Sequence, residues 1–169
     1  MLLLQITLGI AVVSLSVAIL LPIIGWFLPQ TIAIGQSHSY FLPPDSLSKQ
    51  LLHLQDYTRW RPQVNSIRIL SDTHKEWEEC YGNGQCITYR AQIQDEAHFI
   101  QQYSIRSSGP FKVNRIYKIW EQDNMSFVKV EDEIVIPSPP LRSLAFLFYN
   151  HKKYLQAEIR AFDQFVQST

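Results

Sequence analysis

The first forty-four residues contain no Asp, Glu, Lys or Arg, and Ile6 to Phe27 is almost purely apolar. Those twenty-two residues, at about 1.5 Å of rise each, make roughly 33 Å of helix, enough to cross a hydrocarbon core of ~30 Å. Thr7, Ser14 and Ser16 can return their hydroxyl bonds to helix carbonyls, and Pro22 and Gly25 are tolerated more readily in membrane helices than in soluble ones. Residues 1–29 are therefore expected to form a transmembrane anchor, with 6–27 as the span. A cleaved secretory signal is the alternative, with Ala33-Ile34-Gly35 as a small-x-small site before Gln36. Against cleavage stand the lack of Lys or Arg at the start and an apolar run longer than the usual signal core of ~7–15 residues.

Charge leaves the orientation of the anchor open, because no Lys or Arg occurs before Lys49. Cys80 and Cys86 bear on it instead. They bracket Tyr81-Gly82-Asn83-Gly84-Gln85, a Gly/Asn cluster that reads as a hairpin tip between two strand-like runs. With Cys80 opposite Cys86, Trp77 falls opposite Tyr89 and Glu79 opposite Ile87, and the cysteines share the face away from Trp77 and Tyr89. A bridge across such a pair needs slight local twist. Disulfides persist in oxidising compartments, so this candidate bridge favours an extracytoplasmic, periplasmic domain; two free thiols near a turn are the alternative. A metal site is disfavoured by the presence of only two cysteines with no nearby His.

All thirty charged side chains lie in the 125 residues from Asp45 onward, the density of an ordinary globular domain. One domain, residues 37–169, is expected, joined to the anchor by a linker over 30–36. Gln30 to Ser37, eight residues fully extended, spans no more than ~30 Å. Fifteen basic and fifteen acidic residues cancel, which argues against a nucleic-acid partner.

Within the domain, Ser37 to Leu42 reads as a short strand halted by Pro43-Pro44. A helix follows, capped by Asp45 or Ser46, with Leu47, Leu51, Leu52 and Leu54 as its apolar stripe. Asp56 to Trp60 continues as a turn or short helix ended by Pro62. Strand-like runs follow at Asn65–Leu70, Lys75–Cys80, Cys86–Ile93, His98–Ile105, Phe111–Trp120 and Met125–Ile136. In the last, Val128, Val130, Ile134 and Ile136 share a face with Asp132. After Pro137-Ser138-Pro139-Pro140 the period becomes 3.6. Leu144, Phe148, Leu155, Ile159, Phe162 and Val166 then predict one long closing helix.

The run Asp56-Tyr57-x-x-Trp60-x-Pro62, and the corner Glu133-Ile134-x-Ile136-Pro137-x-Pro139-x-x-Arg142 before the closing helix, resemble the START-like superfamily. This helix-grip group, also called SRPBCC, includes polyketide cyclase-like proteins and lipid-transfer domains, and the corner is similar to that of its membrane-anchored bacterial members. The likeness covers about Ser37 to Val166. It departs at Lys112 and Val113, where relatives often carry glycines. The resemblance implies an α+β fold, a curved antiparallel sheet around a long C-terminal helix, with a cavity for hydrophobic ligands between them. Trp77, Ile87, Tyr89, Ala91 and Ile93 fall on one face of a hairpin, and Phe99, Tyr103 and Ile105 on one face of the next strand. With Trp60, Val130, Asp132 and Phe148, these residues (Ile93 and Ile105 aside) are the candidate walls of that cavity; the alternative is that they only fill a core.

Catalytic motifs are lacking: there is no Gly-x-Ser-x-Gly, His-Glu-x-x-His or P-loop, and His38, His53, His74, His98 and His151 are scattered. No cofactor is implied. Asp132 is the best acid–base candidate, on an expected inner apolar face where burial raises a carboxyl pKa, and Glu79 is the second. Pairing of Asp132 with Arg115 or Arg142 is the competing structural role. The expected function is a membrane-tethered, non-enzymatic module binding a hydrophobic small molecule or lipid. A cyclase or dehydratase-type enzyme on a hydrophobic substrate, or an envelope protein-interaction domain, is the alternative.

Overall fold

A computed structural model describes residues 2–94 and 98–168, the side chains of residues 2–4 aside. Its contacts divide the chain into two units. One takes the chain up to Thr31 together with Ile136–Asn150; the other takes Ile32–Val135 and the chain from His151.

The first unit is helical. Helix α1, Leu2–Phe27, is 26 residues long and contains Pro22. It is long and apolar enough to cross a membrane. Ser16 Oγ donates to Val12 O at 2.9 Å, so this hydroxyl is satisfied within the helix. The second helix of this unit, Pro139–Phe148, packs on the C-terminal end of α1. Gly25 permits the approach: a Cβ there would overlap the Pro139 carbonyl. Ser143 Oγ donates to Leu21 O at 2.6 Å. Arg142 spends its guanidinium on the Ile136, Pro137, Gly25 and Leu28 carbonyls.

The second unit carries the sheet. Its strands are β1 (Thr31–Tyr40), β2 (Val64–Ser71), β3 (Glu76–Tyr81), β4 (Cys86–Gln94), β5 (Phe99–Ser107), β6 (Lys112–Gln122) and β7 (Met125–Val135). The seven-stranded order is β1-β7-β6-β5-β4-β3-β2, and β2 to β7 form an antiparallel meander. Between β1 and β2 lie α2 (Pro44–Leu52), a 3-10 turn (Leu54–Asp56) and α3 (Tyr57–Trp60). In chain order the Pro139–Phe148 helix is α4, and α5 spans His151–Gln167.

Hairpin chemistry sets the register. Asp123 and Asn124 both take positive φ, 54° and 60°, the two-residue turn whose twist matches its flanking strands. At the other hairpin, Gly84 at φ 78° takes the position that costs an L side chain most. Cys80 pairs with Cys86, Glu79 with Ile87 and Trp77 with Tyr89, the alternation expected of that run. The cysteines are bonded, with Cα atoms 4.1 Å apart. Glu78 lies near both sulfurs, but a disulfide offers no thiolate to a metal.

The core is the inner face of the sheet against α2, α3 and α5. Leu47, Leu51, Trp60, Trp77, Tyr89, Ile100, Tyr117, Leu155, Ile159 and Phe162 belong to one buried cluster. Along α5 the buried residues Leu155, Ile159, Phe162 and Phe165 recur at helical spacing, which gives the helix its single apolar face.

Several expectations are corrected. The first strand runs over Thr31–Tyr40 and not Ser37–Leu42, so the residues expected as linker are already paired to β7. Alternating exposure along Thr31–Tyr40 is the strand signal, masked in the sequence by continuity with the apolar run before it. The cap of α2 is the backbone of Pro43, whose carbonyl accepts from Ser46 N at 3.0 Å and Leu47 N at 3.2 Å, while no side chain caps the helix. The single closing helix is two, α4 and α5, because Tyr149 leaves the helical region at φ −113°, ψ 109°.

Candidate functional site

Charges that sit far apart in the chain meet in the interior of the second unit. Glu79, fully buried on β3, accepts from Arg61 Nη1 at 2.5 Å, from Trp77 Nε1 at 2.9 Å and from the Tyr81 hydroxyl at 2.8 Å. Arg61 Nε lies 3.2 Å from Glu158 of α5, a charge contact without hydrogen-bond alignment. Glu158 also accepts from Arg115 on β6. Arg115 grips Asp132 of β7 with both arms, Nε to Oδ1 at 2.5 Å and Nη2 to Oδ2 at 2.7 Å. Two guanidiniums thus face three carboxylates, and the chain of contacts ties β3, β6 and β7 to α5.

The electrostatics follow from burial and pairing. Burial works against the Arg61 cation, yet Glu158 and Glu79 outweigh it and hold its pKa well above the usual value. Arg115 behaves alike: burial opposes the charge, and Asp132 and Glu158 overcome it. Burial raises the pKa of Tyr57, Tyr81, Tyr89 and Tyr117, so each stays a neutral phenol. Tyr57 OH donates to Leu51 O at 2.6 Å and accepts from Gln102 Nε2 at 2.8 Å, which fixes a polar pair in the core.

Beside this network, between α5 and the sheet, lies a cavity with Tyr40, Trp60, Tyr117, Val130, Glu158 and Phe162 in its wall. Its volume of about 20 Å3 is room for a single water. Ligand pockets run to ~300–1,000 Å3, so a larger guest enters only if these walls part. Trp60 carries a buried indole N–H that meets no acceptor among the described residues. An unpaired buried donor costs about 1–3 kcal/mol.

Of the residues expected to wall a cavity, Trp60 and Val130 line this one. Trp77, Ile87, Tyr89 and Ala91 are buried in the core cluster. Asp132 is buried and paired to Arg115. Both lone pairs facing Arg115 are taken, so the carboxylate is positioned as a counter-ion and not as a free base. Phe99 and Tyr103 are corrected: β5 buries Ile100 and Gln102, and its aromatics take the opposite face. Ile93 and Ile105, which share strand faces with Ala91 and with Tyr103, are 37% and 43% exposed near strand ends. Phe148, 80% exposed, belongs to the other unit; the helix break after it ends the periodicity that carried the expectation.

Arg61, Glu158 and Tyr40 escaped the sequence reading. A signal existed for Glu158, which interrupts the apolar column Leu155, Ile159, Phe162 much as Asp132 interrupts the valines of β7. An acid at such a position asks for a buried cation.

No protein-family model and no curated protein sequence matches this chain. Solved structures do. A START superfamily protein from Mycobacterium smegmatis superposes with a TM-score of 0.65 at 13% identity, covering 80% of this chain and 97% of its own. The Zhui aromatase/cyclase from Streptomyces sp. R1128 gives 0.67 at 13% identity, covering 78% and 90%. A protein of Thermus thermophilus gives 0.66 at 10% identity, covering 81% and 98%. The chain has the START-like helix-grip fold.

Proposed function

We propose, from that fold as premise, that the domain binds a hydrophobic small molecule or lipid between α5 and the sheet, without catalysis, while α1 holds the chain in a membrane. The observation that carries the reading is a mostly apolar cavity with Trp60 in its wall, a residue whose buried indole N–H meets no acceptor among the described residues. A guest with one oxygen at that point relieves the cost, and apolar walls with few polar anchors are the usual build of such sites. The wall widens if Phe162 or Tyr40, both held by ring contacts, swings aside.

The disulfide supports an extracytoplasmic domain, since such bonds survive in oxidising compartments. A second reading, cyclase-type chemistry, draws on the Zhui aromatase/cyclase among the structural neighbours. Against it, the interior acids Glu79, Asp132 and Glu158 among the described residues all face arginine.

The test is native mass spectrometry of the full chain extracted in mild detergent, with fatty acids and phospholipids added as probes. A bound lipophile, weakened about tenfold by Trp60→Phe, is the expected result, being the loss of roughly one hydrogen bond. No bound species and no thermal stabilisation by any probe would refute the reading.

A further inference from the structure

We propose that α4 is a second membrane-contacting element, seated in lipid against the end of α1. The inference rests on α1 being an anchor and adds to it.

Three observations converge within the helical unit. First, α4 is bound to α1 at its last turns, through Ser143 to Leu21 O and Arg142 to Gly25 O and Leu28 O. An anchor spanning residues 6–27 brings those turns to the edge of the hydrocarbon core. Second, the last turn of α4 presents a bare apolar face. Phe146, Leu147 and Phe148 are 69%, 59% and 80% exposed, and at the end of α1 Trp26 and Phe27 are 75% and 84% exposed. A run of consecutive apolar side chains facing water is rare in a soluble protein. Third, the one charge on α4 is withdrawn from that face, because Arg142 is saturated by backbone carbonyls. A cation so satisfied can stand near lipid, where a bare one would be costly.

The occupant is lipid, because the exposed face continues the surface of α1, which is itself almost entirely unburied. Gly25, the contact point of the two helices, is the kind of small residue that lets membrane helices approach closely. The chain then meets the bilayer through two helices, α1 across it and α4 at its boundary, where Trp and aromatic residues are favoured.

The experiment uses the full chain in phosphatidylcholine–phosphatidylglycerol vesicles, its native cysteines kept as the disulfide. A single added cysteine carries an environment-sensitive fluorophore at Leu147, with Val13 and Asp123 as the lipid and water controls. The Leu147 probe is expected to shift to the blue and to be quenched roughly twofold or more by lipids brominated high on the acyl chain, the depth of a boundary helix. Emission and quenching like those at Asp123 would overturn the proposal. So would a blue-shifted but unquenched probe, which means a second copy or another protein covers α4. If the Val13 probe also escapes quenching, the anchor reading itself has failed and takes this proposal with it; ligand binding, read separately by mass spectrometry, stands apart.

Discussion

Replacing Arg115 by Met tests whether the buried charge network holds the fold together. Arg115 and Asp132 are 8% and 7% exposed at their side chains, so solvent screens their pairing little. Arg115→Met strips both donors from the Asp132 carboxylate, while Glu158 keeps the Arg61 contact at 3.2 Å. An uncompensated buried charge costs about 3–5 kcal/mol, roughly two to nearly four powers of ten in the folding equilibrium, from a total stability of roughly 5–15 kcal/mol. The double variant Arg115→Met, Asp132→Leu removes the orphaned charge as well. It should recover at least ~2 kcal/mol relative to the sum of the single losses, since apolar replacement of a whole buried pair is often neutral. The assay is urea unfolding of the full chain in detergent micelles, followed by the fluorescence of Trp60 and Trp77, both buried. A loss below ~1 kcal/mol for Arg115→Met, or strictly additive losses, would refute the reasoning.

Replacing Cys80 and Cys86 by Ala opens a short hairpin loop and should cost about 2 kcal/mol while leaving the fold intact; denaturant midpoints with and without the bridge check this. His151 is held below its ordinary pKa of 6.5 by burial, against the opposing pull of Asp132. The unfolded chain therefore takes the proton first, so the His151 contribution is complete above pH 6.5 and is lost as pH falls through the lower folded value. His151→Leu should flatten the stability slope on the acid side of pH 6.5, measured by unfolding across that range, and an unchanged slope would count against this assignment. Gly25→Ile keeps α1 apolar but puts a side chain into the Pro139 carbonyl, so α4 should separate from α1. A short bismaleimide cross-link between Leu21→Cys and Ser143→Cys, formed in the parent chain, should then be lost.

Much of the sheet was legible because alternation is a local signal. The runs from Asn65 to Ile136 reappear as β2 to β7 within a residue or two at most ends, and the register around Cys80 and Cys86 follows from the turn they bracket. The inward aim of Glu79 and Asp132 was legible for the same reason. Where both parities of a strand carry apolar groups, alternation cannot choose. In β5, Phe99 and Tyr103 compete with Ile100 and Gln102, and the aromatic-rich set lost. What decided it was Gln102 reaching Tyr57, forty-five residues away in sequence.

By itself the amino-acid order determined an N-terminal helix long and apolar enough to cross a membrane and an antiparallel meander after it in the chain, since hydropathy and period-two patterning act over neighbouring residues. Only the tertiary structure decided which charges meet. Arg61, Glu79, Arg115, Asp132 and Glu158 come from five separate segments, and each is tolerable inside only because the others are there. Tertiary packing likewise decided that α4 breaks from α5 and lies on α1. Burial makes a charge or a hydroxyl choose a partner by distance in space, and no local pattern records that distance.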